Sequence, residues 1–276
     1  MSDVKEEKAD AASRASFYAA LGGVLAGRGL SLESFCSTDD VVTHRLLKEY
    51  GAMFVAEGVL LPPVCAFTTD EEVVSFQREA TWRAADFGGV RIELQPAALD
   101  ALLRAREEAR AAGLDITPRD GAEAGRRSFD DSLRLWASRC EPAIDHWCAQ
   151  GRLTFEQAGD LRELPLREQV AAVLELEEQG LFFSKDFSKS ILYSVAAPGA
   201  SQHLAMLAFD AVEFRDERVR RMLSRHGWFQ TVQSDLPHFT FLGLAESELP
   251  ARGLRAIETC GQVFWIPDTE EIVRQG

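Results

Sequence analysis

The hydropathy pattern of this chain changes character near residue 180, and that change limits the folds open to it. Upstream, apolar residues recur at helical spacing in "ASRASFYAALGGVLAG" (12–27), "VVTHRLLKEYGAMFVAEGV" (41–59) and "DEEVVSFQREATWRAADF" (70–87). Downstream, "ILYSV" (191–195), "LAFDAVEF" (207–214), "GWFQTV" (227–232), "HFTFLG" (238–243) and "QVFWI" (262–266) are short β-rich runs. Only "DERVRRMLSRHG" (216–227) among them has a helical pattern. Helices gathered ahead of short strands predict an α+β fold, with a small antiparallel sheet packed against helices.

Between these regions, "GVRIEL" (89–94) reads as an extended piece and "PAALDALLRAREEARAAG" (96–113) as a helix opened by Pro96 and closed by Gly113. "LDIT" (114–117) is an expected strand and "PRDGAEAG" (118–125) a loop. Helices are expected over 128–150 and 154–178. In "TTDEEVV", threonine or aspartate caps a helix whose first turn is acidic. We divide the chain into a helical region over 1–90 and a second domain over 91–276, the latter with a helical insertion over about 133–180.

A formal charge of −14 weighs against nucleic acid or an anionic membrane surface as partner. No run reaches the length of a membrane span. The opening "MSDVKEEKADAAS" lacks the apolar core of a secretory signal. A chain complete as given would stay in the cytoplasm, whereas one trimmed of a signal would be extracytoplasmic, in the periplasm or cell envelope. The five cysteines lie far apart with no C-x-x-C pair, and are expected mostly as buried small hydrophobes. Cys140 and Cys148 fall on one expected helix, about 12 Å apart along it.

The chemistry concentrates in "SQHLAMLAFD" (201–210), where His203 and Asp210 interrupt an apolar run. An ionised carboxylate there needs a partner or a cation. A histidine and an aspartate so placed also occur as a buried hydrogen-bonded pair. Of the five histidines, His44 reads as a surface residue, His146 as a core or helix-end residue, and His226 as a helix-end cation. His238 stands apart, because Asp235 precedes it by three in "SDLPHFTF". Two histidines and one aspartate form a three-ligand set that leaves a position open for water, as in catalytic zinc sites. A second carboxylate nearby serves as general base. Seven residues of straight strand span about 23 Å, so the chain must curl between His203 and Asp210. "PGASQHLAM" supplies that curl, with a turn at Pro198–Gly199 and about one helical turn after it. The Ser-Lys steps at Ser184–Lys185 and Ser188–Lys189 do not form the S-x-x-K spacing of serine acyl enzymes.

These motifs resemble the zinc D-alanyl-D-alanine carboxypeptidase and dipeptidase family, whose fold is shared with the hedgehog signalling domain. "SQHLAMLAFD" matches S-x-H-x-x-G-x-A-x-D at Ser201, His203, Ala208 and Asp210. "RVRRMLSRHGWFQTVQSDLPHFTFLG" is similar to the family's helix, Gly-aromatic strand and E-x-x-H segment, and "GRRSFDDS" (125–132) to its S-G-Y-R-S-Y-x-x-Q element. The likeness covers roughly 91–243. It implies one zinc ion per chain on His203, Asp210 and His238, with Asp235 as base. It makes Arg127 the arginine beside the scissile bond, with Arg119 and Arg126 as rivals. Ser128, next to Arg127 in the matched element, is a further implied substrate contact; the loop over 182–199 is read separately as shaping the groove, with Tyr193 and Ser201 as substrate contacts. The implied substrate is a peptidoglycan peptide cut near a D-amino acid.

Two departures stand out. Met206 replaces a glycine and is expected to hold an ordinary backbone conformation. Asp235 stands where the family has glutamate, one methylene longer, and a shift of about 1 Å can cost about a hundredfold in rate. A metal-holding module that binds wall peptide or protein without turnover is the alternative on the same fold.

Overall fold

A computed structural model describes residues 16–36 and 40–269. The polar opening 1–13 and the start of the first expected helix lie outside the described residues. Helix α1 (Phe17–Gly27) begins where Ser16 accepts the Ala19 N–H, and buries Phe17, Leu21 and Leu25 at four-residue intervals. A short α2 (Leu32–Phe35) follows, then α3 (Val41–Tyr50), capped by Asp40. The second helical run stops at Tyr50. Residues 51–55 tighten into a wholly buried 3-10 turn.

Helix α4 (Asp70–Ala80) starts as expected, with Thr69 as cap and Asp70, Glu71 and Glu72 in the first turn. It does not run on to Phe87. Thr81 takes a left-handed backbone (φ 54°), which breaks the helix. The chain then pairs β1 (Arg83–Asp86) with β2 (Arg91–Leu94) as an antiparallel hairpin. The period-3.6 reading had absorbed β1 because "TWRAAD" carries no alternation of its own.

Helix α5 (Pro96–Ala111) matches its expected bounds, with Pro96 in the first turn and Gly113 at φ 73° beyond the end. "LDIT" is not a strand. The pairing nearby is limited to one isolated bridge, Pro118 to Ala211, with the Val212 N–H donating to the Thr117 carbonyl beside it. Asp115 faces Arg106 and Arg110, while the Glu213 carboxylate accepts from both the N–H and the hydroxyl of Thr117. Helix α6 (Phe129–Ala149) opens on a reciprocal cap between Ser128 and Asp131. The expected helix over 154–178 is two helices, α7 (Phe155–Glu163) and α8 (Leu166–Glu178). Pro165 separates them, since proline disfavours helical backbone at the residue before it.

"ILYSV" also departs from expectation, forming a 3-10 turn at Ile191–Tyr193. The remaining β-rich runs do form strands. β3 (Ala208–Asp210), β4 (Trp228–Phe229) and β5 (His238–Phe241) make an antiparallel sheet in the order β3-β5-β4. Helix α9 (Glu217–Arg225) connects β3 to β4, and β6 (Leu254–Thr259) forms a separate hairpin with β7 (Gln262–Pro267). The architecture is therefore α+β with small antiparallel sheets.

One apolar core takes in Phe209, Trp228 and Phe239 of the central sheet together with Phe17 and Leu21 of α1 and Phe54 of the 3-10 turn. A second lies among α3, α6, α7 and α8, around Tyr50, Trp136, Cys140 and Ile144. The cysteines depart from expectation in one respect. Cys36 and Cys65 form a disulfide, their Cα atoms 5.7 Å apart. Only the fold brings them together across 29 residues. Cys140 and Cys148 share α6 unbridged, and burial pushes the Cys140 thiol up to about 12. Among the described residues no helix is long and apolar enough to cross a membrane.

Candidate metal centre

The turn that delivers His203 opens at a glycine, and the curl between His203 and Asp210 follows it, held by buried amide groups. Gly199 holds φ 79°, and a Cβ on it would come within 1.9 Å of the Phe67 carbonyl oxygen. The next residues make one tight turn, with Leu204, Ala205 and Met206 N–H groups donating to the carbonyls of Ser201, Gln202 and His203. Gln77 and Gln95 donate to the carbonyls of Leu204 and Ala205, and the Gln95 N–H to that of Met206. Met206 departs from expectation here: its backbone is left-handed, φ 57°, with the side chain fully buried. The loop keeps the shape that glycine would permit, at a cost of about 1 kcal/mol in strain for a residue with a Cβ.

Beyond the turn, strand register takes over. Asp210 on β3 lies directly opposite His238 on β5, so the two side chains project side by side from one face. His203 reaches the same point from the turn. All three are buried, and one ligand atom from each lies within 4.8 Å of the others. The group can hold a metal ion.

The hydrogen bonds around it indicate where the lone pairs point. His203 Nδ1 lies 2.7 Å from the Gly125 carbonyl, which can only accept, so Nδ1 carries the proton. Nε2 is then left with its lone pair, buried and without a hydrogen-bond partner among the described residues, 3.4 Å from Asp210 Oδ2. His238 is set by Gln202, whose amide NH2 donates to the Tyr50 carbonyl (2.9 Å). The Gln202 Oε1 therefore accepts from the Thr240 hydroxyl and from His238 Nε2–H (2.8 Å). His238 Nδ1 faces Asp210 Oδ1 at 3.1 Å. Two imidazole lone pairs thus converge on a carboxylate, an arrangement that repels itself unless a proton or cation lies between.

Protonation does not relieve it at His203. Burial, seconded by the Arg127 guanidinium and opposed by Asp210, lowers its pKa to about 4. His203 is thus a neutral nitrogen donor beside the Asp210 carboxylate, which the Arg127 guanidinium pairs at 2.8 Å.

The centre floors a cleft of about 350 Å³ whose lining includes Asp235, Arg127, Arg119, Ser201 and Tyr193. Asp235 is placed by a tight turn in which its carbonyl accepts the His238 N–H (3.2 Å). It keeps an exposed edge, yet crowding by the cleft walls raises its pKa, opposed by His238 and reinforced by Asp210. Among the described residues nothing hydrogen-bonds to its carboxylate. Arg127 donates to Asp210 Oδ2 at 2.8 Å and to the Glu123 carbonyl, so its guanidinium is engaged with the centre itself. Arg126 turns away to Glu93, and Arg119 pairs with Asp120. Ser128 is spent on capping α6 and does not line the cleft.

The other histidines have separate partners. His44 is half-buried rather than on the surface, bonded to the Tyr18 hydroxyl, and His146 stacks on Phe187. His226, at the end of α9, meets Glu108. The residue that sequence reasoning passed over is Gln202. A lone amide in an apolar run beside a candidate ligand was the signal that could have found it. Comparison with models of known families and with curated proteins finds no match to this chain.

Proposed function

We propose that this chain is a zinc-dependent peptidase, acting on peptidoglycan peptides near D-amino acids in the manner of a D-alanyl-D-alanine carboxypeptidase. The observation that carries the reading is the buried, unpartnered Nε2 of His203, converging with His238 Nδ1 on Asp210. Two nitrogens and one carboxylate oxygen with an open side toward a cleft suit zinc in a catalytic role, and one ion per chain is expected. The motif resemblance supplies the substrate class. The Cys36–Cys65 bridge favours an oxidising, extracytoplasmic setting.

Zinc, when bound, supplies Lewis acidity at the peptide carbonyl and a nucleophilic water near neutral pH. Asp235, unbonded and lining the same cleft, takes the proton from the attacking water and passes it to the departing amine. Its raised pKa suits both halves of that transfer. Arg127 fixes Asp210 and places positive charge where the carbonyl oxygen becomes anionic. Ser201 and Tyr193 line the path of the peptide.

The test is metal content by mass spectrometry on protein purified without chelator, with His203→Ala in parallel, followed by assays on D-Ala-terminated peptides. About one zinc per chain, absent from the folded variant, is the expected result. Asp235→Asn should keep the zinc and lose at least about a hundredfold in kcat. Metal-free protein that stays so after zinc is added back would sink the reading.

A further inference from the structure

A second cavity, of about 550 Å³, opens between α3 and α8 and shares no lining residue with the metal-centre cleft. One wall is a single stripe of α3, where Val41, His44, Arg45 and Lys48 recur at three- and four-residue spacing. The facing wall brings Leu174 and Glu178 from α8 and Phe182 from beyond its end. The groups of this groove are not matched to one another. Val41 is 70% exposed, an uncommon state for a large apolar side chain in a concave surface. Lys48 and Glu178 are exposed on opposite walls, and neither has a salt bridge among the described residues.

The chain itself leads into the groove. Strand β7 packs against α3, and just after it Asp268 is pinned at both ends. Its carbonyl accepts the Phe17 N–H that opens α1, and its own N–H donates to the Gly253 carbonyl. Thr269, the next residue, lines the groove. The sequence then continues as "EEIVRQG" (270–276). From Val41 to Lys48 the stripe runs about 10 Å along the axis of α3. Extended chain covers that in three residues, so 270–273 reach along all of it. Their chemistry is what the walls leave unmatched: Glu270 and Glu271 for Lys48, Ile272 and Val273 for Val41, Leu174 and Phe182, then Arg274 for Glu178. A segment tethered at the groove's edge acts at an effective concentration of about millimolar, so modest complementarity is enough to seat it.

We infer that this groove is the docking site of the chain's own segment 270–276, with Ile272 and Val273 on the apolar walls and the two glutamates against the cationic stripe of α3. The docking is independent of the peptidase reading and does not draw on it.

The test is the rate of tryptic cleavage after Arg274 in the full chain, read as loss of Gln275 and Gly276 by mass spectrometry of the intact protein. Trypsin takes up residues on both sides of the bond, so a docked segment must first leave the groove, and the rate reports the open fraction. The free peptide "DTEEIVRQG" gives the rate without docking. Wild-type protein should be cut at least about tenfold more slowly than the peptide, and Val41→Asp and Lys48→Glu should each raise the rate by about three- to tenfold. Both positions are exposed, and an acid in the first turn of α3 suits the helix, so both variants should melt near the wild type. Wild-type cleavage at the peptide's rate, or a slow rate that either substitution leaves unchanged, would overturn the assignment. Protection that grows with protein concentration would give the groove to a second copy and overturn it as well.

Discussion

Gln202→Leu tests the centre most directly, because Gln202 alone decides which nitrogen of His238 faces Asp210. The substitution is close in volume but removes one acceptor and one donor pair. It leaves the Tyr50 carbonyl and His238 Nε2–H without their bonds, and frees the Thr240 hydroxyl, all in buried surroundings. At about 1–3 kcal/mol for each buried group left unsatisfied, and with Thr240 able to turn toward Thr231, the expected loss is about 3–5 kcal/mol. Against a typical folding stability of about 5–15 kcal/mol, that is a large share, so folding of the variant is checked first. Without its outer partner, His238 loses its fixed tautomer and ring orientation, which lowers metal affinity about 10–100-fold. Urea unfolding gives the first quantity, and chelator competition for zinc at pH 7 gives the second, on protein shown to be folded. Zinc affinity within about threefold of wild type would refute the reasoning, since His238 would then be oriented without Gln202.

Other consequences are open to measurement. Met206→Gly and Met206→Ala both lose a fully buried side chain, but glycine relieves the left-handed backbone, so the glycine variant should be the more stable by about 1 kcal/mol in thermal or urea melts. The Arg106 guanidinium, with help from Arg110 and the Ile116 N–H and against burial, holds Asp115 below the usual carboxylate range. Its folded pKa is depressed, so its stabilisation is present above pH about 4 and is lost as pH falls through the folded value. Asp115→Asn should therefore cost about 1–2 kcal/mol at pH 7, discounted for partial exposure, and should flatten the acid limb of a stability–pH curve. Cys36→Ser with Cys65→Ser should lower stability by about 2–4 kcal/mol, and unfolded, unreduced wild-type protein should titrate only the thiols of Cys140, Cys148 and Cys260.

Local signals in the chain were enough to place its helix boundaries where a cap decides them. Thr69 ahead of three acids and Pro96 with Gly113 each act within a few residues. They also showed that the chain must curl between His203 and Asp210, because seven residues of straight strand would hold the two about 23 Å apart. Features that depend on distant pairing were not legible. β1 exists because β2 returns beside it, and the turn formed by "ILYSV" is met at its Leu192 carbonyl by the Tyr50 hydroxyl, from 142 residues away. The left-handed Met206 and the Cys36–Cys65 bridge have no local signature either.

The residue types of the centre were determined by the sequence alone, since two histidines and an aspartate in apolar runs must answer to one another or to a cation. Tertiary structure decided which of their atoms do so. The β3–β5 register sets Asp210 beside His238, the Gly125 carbonyl fixes the His203 proton, and the Tyr50 carbonyl, acting through Gln202, fixes that of His238. Spacing along a chain can place side chains on a face, but the direction of a lone pair depends on hydrogen bonds from residues that only folding brings near.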